Sequence, residues 1–112
     1  MNLPQRKNLK CIVRIESKTL DANLGPYDGI IRFDNEKIEL SYDENKFVTH
    51  KYAGTKSKDN EDEWILNPVD DENEEECVLR RNPKNLSILE GSYKVKVPDI
   101  KDREGDWKVQ LV

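Results

Sequence analysis

Histidine is nearly absent from this sequence: His50 is the only one among 112 residues. Cysteine is almost as scarce, with Cys11 and Cys77 far apart and no Cys-x-x-Cys spacing. A zinc site needs about four such ligands, usually in close pairs, so neither a metal nor a catalytic metal-bound water is expected. Glycine totals five. No phosphate-cradling loop can be built from them: "AGTKSK" has one glycine and lacks the Walker spacing, and no Gly-x-Ser-x-Gly elbow occurs. No apolar run approaches the roughly 20 residues of a membrane-spanning helix. The N-terminal "MNLPQRKNLK" also lacks the apolar stretch of a secretory signal. The expectation is a soluble intracellular protein with two reduced, partly buried thiols.

Net positive charge is missing too, since 19 basic residues face 23 acidic ones for a net charge of -4. The basic residues are dispersed, whereas nucleic-acid binders concentrate them to displace counterions. Direct nucleic-acid binding is therefore not expected. The densest charge is acidic, in "VDDENEEECVLRR", where six carboxylates fall within Asp70 to Glu76. That run has neither the central glycine nor the alternate ligand spacing of a calcium loop. Adjacent carboxylates repel and stay hydrated, so it reads as a solvated loop. No carboxylate pair is singled out for glycosidase chemistry. His50, on an apolar strand pattern, reads as a packing or surface residue rather than a general base. No catalytic residue and no cofactor are assigned.

What is present is period-two alternation. "KCIVRIES" places Cys11, Val13 and Ile15 on one face and Lys10, Ile12 and Arg14 on the other. "GPYDG" reads as a turn cluster. "IIRFDNEKIELSY" reads as a hairpin turning on Asp34 to Lys37, because Asp and Asn tolerate left-handed backbone. "KFVTHKYAG", "WILNP" and "ECVLRRN" read as strands, with "GTKSKDNEDE" and "PKN" between them. "LSILEGSYKVKV" reads as a long strand with a bulge at Gly91, its Tyr93, Val95 and Val97 on one face and Lys94 and Lys96 on the other. Beyond Pro98 the expectation is one helical turn from Asp99 and a short strand around Trp107 to Leu111. Trp64 and Trp107 suit either core packing or an interface anchor. Short, evenly spaced strands give an all-β barrel or sandwich in a single domain, 1–112, with a core of about 10–98 and a C-terminal extension 99–112.

Several landmarks, in order, resemble one family. "VRIESKTLD", "YDGIIRFDNEKIELSY", "KYAGTK" and "ECVLRRNPKNLSILEGS" followed by "YKVKV" are similar to the N-terminal domain of the EAF (ELL-associated factor) proteins. "KYAGTK" matches that family's aromatic-x-Gly-Ser/Thr-Lys signature, and Leu89-Glu90 its Leu-Glu pair. The match covers Cys11 to Val97 and departs from the pattern at 57–75, which reads as an insertion; "DEWILNP" offers a second match to the family strand. The resemblance implies a barrel-like, TFIIF-type dimerisation domain that shares a β-barrel with a partner chain. It implies a nuclear, non-enzymatic elongation cofactor, paired obligately with an ELL-family elongation factor and acting on RNA polymerase II.

Hydrophobic residues make up only 35% of the chain, so a core completed by partner strands fits the composition. The candidate interface or shared core is Ile12, Val13, Ile15, Ile31, Phe33, Ile38, Leu40, Val78 and Leu89. The alternative is a free-standing OB-like or sandwich module that binds a peptide or single-stranded nucleic acid. Its strand face would use "FVTHKY" with Lys46 and Lys51.

Overall fold

Each alternating stretch becomes a strand in the computed structural model, which describes residues 3–69, 77–95 and 103–112. The strands are β1 (Leu9–Ser17), β2 (Ala22–Asp34), β3 (Lys37–Asp43), β4 (Thr49–Lys56), β5 (Glu63–Pro68), β6 (Cys77–Arg81), β7 (Ile88–Val95) and β8 (Arg103–Leu111). All neighbours are antiparallel and follow chain order, and β8 returns to β1, closing an eight-strand barrel. No helix occurs among the described residues. Side chains alternate between the lumen and solvent, and eight strands leave a lumen just wide enough to fill with side chains or hold one small ligand.

The chain therefore closes a core of its own. Val13, Ile15, Ile31, Phe33, Ile38, Leu40 and Leu89 from the expected set are all buried in the lumen. Ile12 and Val78 sit at the opposite phase of their strands and lie half-buried on the outer wall. Trp64 and Trp107 both belong to the core, as does Leu66. The expectation that 57–75 is an insertion meets the wall strand β5 within its described part, at Glu63–Pro68.

Several local expectations need correction. "GPYDG" is not a turn but the middle of β2, at a bulge. Val13 pairs with Tyr27 and Ile15 with Leu24, so Arg14 faces the extra residues Gly25 and Pro26. Gly25 takes φ +96°, where a side chain would be strained, and Pro26 is tolerated because the ladder is already broken. Toward β8, β7 shows no bulge, since that register runs unbroken from Ile88 to Val95; toward β6 the described pairing ends at Glu90, next to Gly91. β4 begins at Thr49 rather than Lys46. The Asn45 side-chain oxygen accepts from the amides of Phe47 (2.8 Å) and Val48 (3.0 Å), which holds those residues in a loop. The last strand is no appendage: Trp107 and Val109 are buried, and β8 pairs with both β1 and β7. The helical turn from Asp99, the acidic run from Asp70 to Glu76, and Lys96 and Val97 lie outside the described residues.

The two ends of the barrel differ. At one end the β2–β3 turn forms as expected, with Asn35 at φ +56° and Asp34 opposite Lys37. The N-terminal segment folds over this turn. Arg6 N donates to Phe33 O (2.7 Å), Asn35 N donates to Gln5 Oε1 (2.8 Å), and Leu3 packs against the core. At the other end the lumen opens.

Candidate functional site: the open mouth of the barrel

Strands β1, β3, β5 and β7 run toward the open end, and β2, β4, β6 and β8 start from it. At the closed end Phe33 and Trp64 fill the lumen, their ring centroids 5.3 Å apart, and above them the inward positions are aliphatic: Val13, Ile31, Leu40, Leu79 and Leu89. Toward the mouth they turn aromatic: Tyr27 on β2, Tyr42 on β3, His50 and Tyr52 on β4, Tyr93 on β7 and Trp107 on β8. The chain has four tyrosines and one histidine, and all five line one cavity of about 560 Å³. Cross-strand proximity of inward side chains stacks these rings. Tyr42 stacks on Tyr27 (5.5 Å), His50 (5.0 Å) and Tyr52 (6.2 Å between centroids). Trp107 meets Tyr52 edge-on at 5.0 Å and Tyr93 at 6.2 Å.

Polar groups are few and placed. The Tyr42 and Tyr52 hydroxyls are hydrogen-bonded to each other, and the Tyr93 hydroxyl to the buried Ser17. Burial, with the neighbouring Tyr52 phenol second, drives the Tyr42 phenol well above its ordinary range. Burial also raises Tyr93, against the opposing pull of Ser17 and Arg103. Both phenols therefore stay neutral, able to donate and accept, and neither is a nucleophile. At the rim, His50 Nε2 lies 3.6 Å from Glu44 Oε2, and Lys51 and Arg103 border the opening. Leu20 and Phe47, 67% and 94% exposed, stand on the loops that lead into it. Among the described residues no group of three His, Cys, Asp or Glu side chains is placed to hold a metal ion.

The structure splits the "FVTHKY" stretch rather than presenting it as one strand face. Phe47 and Val48 sit in a loop, and Tyr52 points into the lumen. His50 packs on Tyr42 at the mouth. Sequence reasoning misses the aromatic cluster as a whole, because its members come from five strands and each looks ordinary alone. The available signal is that tyrosine, within each strand, falls on the inward phase near the same end. Only the up-and-down topology shows that those ends coincide.

Comparisons with protein-family models, curated proteins and solved structures found no match to this chain.

Proposed function

We propose that this chain is a non-catalytic binding barrel that takes one small, largely apolar molecule into its aromatic mouth. The observation that carries this reading is the gathering of every tyrosine, the single histidine and Trp107 around one open cavity. Protein interiors pack to crystal-like density, so a lumen serving stability alone would be filled. The cavity volume falls within the roughly 300–1,000 Å³ of small-molecule sites, and barrel mouths are a preferred place for them. Neutral phenols and Ser17 supply orienting hydrogen bonds, and the ring faces supply contact area.

Equilibrium titration with the fluorophore 1-anilinonaphthalene-8-sulfonate tests the proposal. One molecule is expected to bind per chain, and Val95→Trp, which places an indole in the cavity, is expected to lower affinity at least tenfold with the circular dichroism unchanged. No binding by the natural chain, or equal binding by the variant, would overturn the reading.

The second reading is the one implied by the EAF resemblance: a nuclear transcription elongation cofactor paired with an ELL-family factor at RNA polymerase II. Two observations support it. Among the described residues β6 pairs with β7 only at Arg80↔Glu90 and Arg81↔Leu89, a short ladder beside which a partner strand could add. Ile12 and Val78 also present apolar area on the outer wall. Co-expression with an ELL-type N-terminal domain should then give a common size-exclusion peak that Val78→Asp abolishes. Separate elution of the two natural chains would remove this reading.

A further inference from the structure

The outer wall of the barrel carries charge in an order that its own pairing does not explain. Outward residues of β1 and β8 meet like with like: Arg14 is the register partner of Lys108, and Glu16 that of Asp106. Like charges directly opposite one another in a sheet repel. Exchanging Arg14 with Glu16 would make both pairs attractive, so composition does not require this order. The diagonal alternative is not taken either. Lys108 Nζ turns to Glu90 Oε2 on β7, 3.8 Å away, and Arg14 Nη1 donates to Gln110 Oε1 at 3.3 Å. Glu16 and Asp106 form no ion pair among the described residues.

All four side chains line a groove of about 1040 Å³ on the outside of the barrel, which reaches from Arg80 on β6 to Asn23 and Pro26 on β2. Its charges fall into two rows that run across the strands. Arg80, Glu90, Lys108 and Arg14 are successive register partners and make one row net positive. Ser92, Asp106, Glu16 and Asn23 are likewise successive partners and make the other net negative. The rows stand two residues apart along each strand, about 7 Å. Neighbouring strands lie about 4.8 Å apart, so the groove from β6 to β2 is about 19 Å long. That is the reach of about six extended residues.

We propose that this groove holds an extended peptide segment whose side chains alternate between acidic and basic. An extended chain projects successive side chains to opposite sides. Laid along the groove, it directs its carboxylates to Lys108 and Arg14 and its amines to Asp106 and Glu16. Each peptide charge then sits between two like charges of the barrel, so both repelling pairs become bridged ones. A segment with its charges in blocks, or all of one sign, sets half of its side chains against the wrong row. The groove lies outside the lumen, and its use does not depend on what the mouth takes up.

Fluorescence anisotropy with a dye-labelled hexapeptide of alternating lysine and glutamate tests the proposal, at low ionic strength where surface charges are least screened. The control peptide has the same composition with its lysines first and its glutamates last, equal in length and net charge. The alternating peptide should bind about tenfold more tightly than the blocked one, and added salt should weaken it. Arg14→Glu combined with Glu16→Arg keeps the composition of the chain and makes both register pairs attractive. That double variant should raise the urea midpoint and yet lower affinity for the alternating peptide about tenfold. Equal affinity for the two peptides, no binding of either, or undiminished binding by the double variant would overturn the site. A lower urea midpoint for the double variant would overturn it too, since the order of charges would then serve the fold.

Discussion

Leu40→Asp is expected to leave the chain unfolded, whereas Ile12→Asp leaves it folded. Leu40 is 1% exposed in the lumen between Tyr52 on β4 and Ile31 on β2, its register partners. Aspartate there would lose the leucine's packing and bury a carboxylate with no cation beside it. Leucine truncation in a core costs about 2–5 kcal/mol. An unpaired buried charge adds several more unless the group neutralises. A domain of this size holds about 5–15 kcal/mol in total, so the variant sits at or beyond the limit. Ile12 lies on the same sheet but at the opposite phase, half-buried on the outer wall and opposite Asp28, so aspartate there stays hydrated and costs about 1–2 kcal/mol, which the fold tolerates. Urea unfolding followed by circular dichroism checks both. A folded Leu40→Asp barrel with a near-normal midpoint would mean that the lumen is not the core.

That pair also shows how much alternation settles by itself. In β1 the assignment of Cys11, Val13 and Ile15 to one face holds along the strand, because a period of two has no ambiguity when both faces differ in polarity. The β2–β3 hairpin is legible for the same reason, with Asn35 supplying the left-handed turn residue. Two things are hidden. Alternation assigns side chains to faces but does not say whether a sheet's inner face is closed by its own eighth strand or by a partner. The closure depends on Gly105, Trp107 and Val109 of β8, in a segment whose mixed charge reads as a tail. The bulge in β2 is hidden as well, since Gly-Pro has the composition of a turn whether the chain reverses or merely kinks.

The mouth is least legible, because its chemistry is collective. Tyr27, Tyr42, Tyr52 and Tyr93 stand far apart in sequence, and each fits its strand as an ordinary inward residue. Their convergence is a property of strand order. The expected interface set divides in an informative way for the same reason. The buried members describe the lumen, and the outward pair Ile12 and Val78 is what remains available to a partner. A pairing experiment that mutates only the outward pair therefore separates loss of partner from loss of fold.

The second large effect is alkaline unfolding. Burial pushes the Cys11 thiol from its ordinary 9.0 up to about 12. Burial likewise lifts the Tyr42 and Tyr93 phenols above their ordinary 10.0. In the unfolded chain all three groups release protons near their ordinary values, while the folded barrel keeps them protonated. The unfolded state therefore binds fewer protons at high pH, and stability falls as pH rises. The contribution is complete below about pH 9 and is lost upward from there, through about pH 12 for Cys11 and beyond the ordinary phenol range for the tyrosines. Cys11 and Tyr42 each cost up to about 1.4 kcal/mol per pH unit across their own windows, and Tyr93, nearer to solvent, costs less. Urea midpoints should hold steady from about pH 7 to 8.5 and then drop sharply by about pH 11, with the tyrosinate absorbance lost in a Tyr42→Phe/Tyr93→Phe double variant appearing together with unfolding and not before it. Cys11→Ala should flatten the first part of that fall, since the thiol leads the phenols by about one unit. That share of tyrosinate formed ahead of unfolding would place the Tyr42 and Tyr93 hydroxyls in water, and with them the hydrogen-bonding floor of the proposed ligand site. The same burial that makes the barrel fragile in alkali is what keeps those phenols neutral donors at ordinary pH.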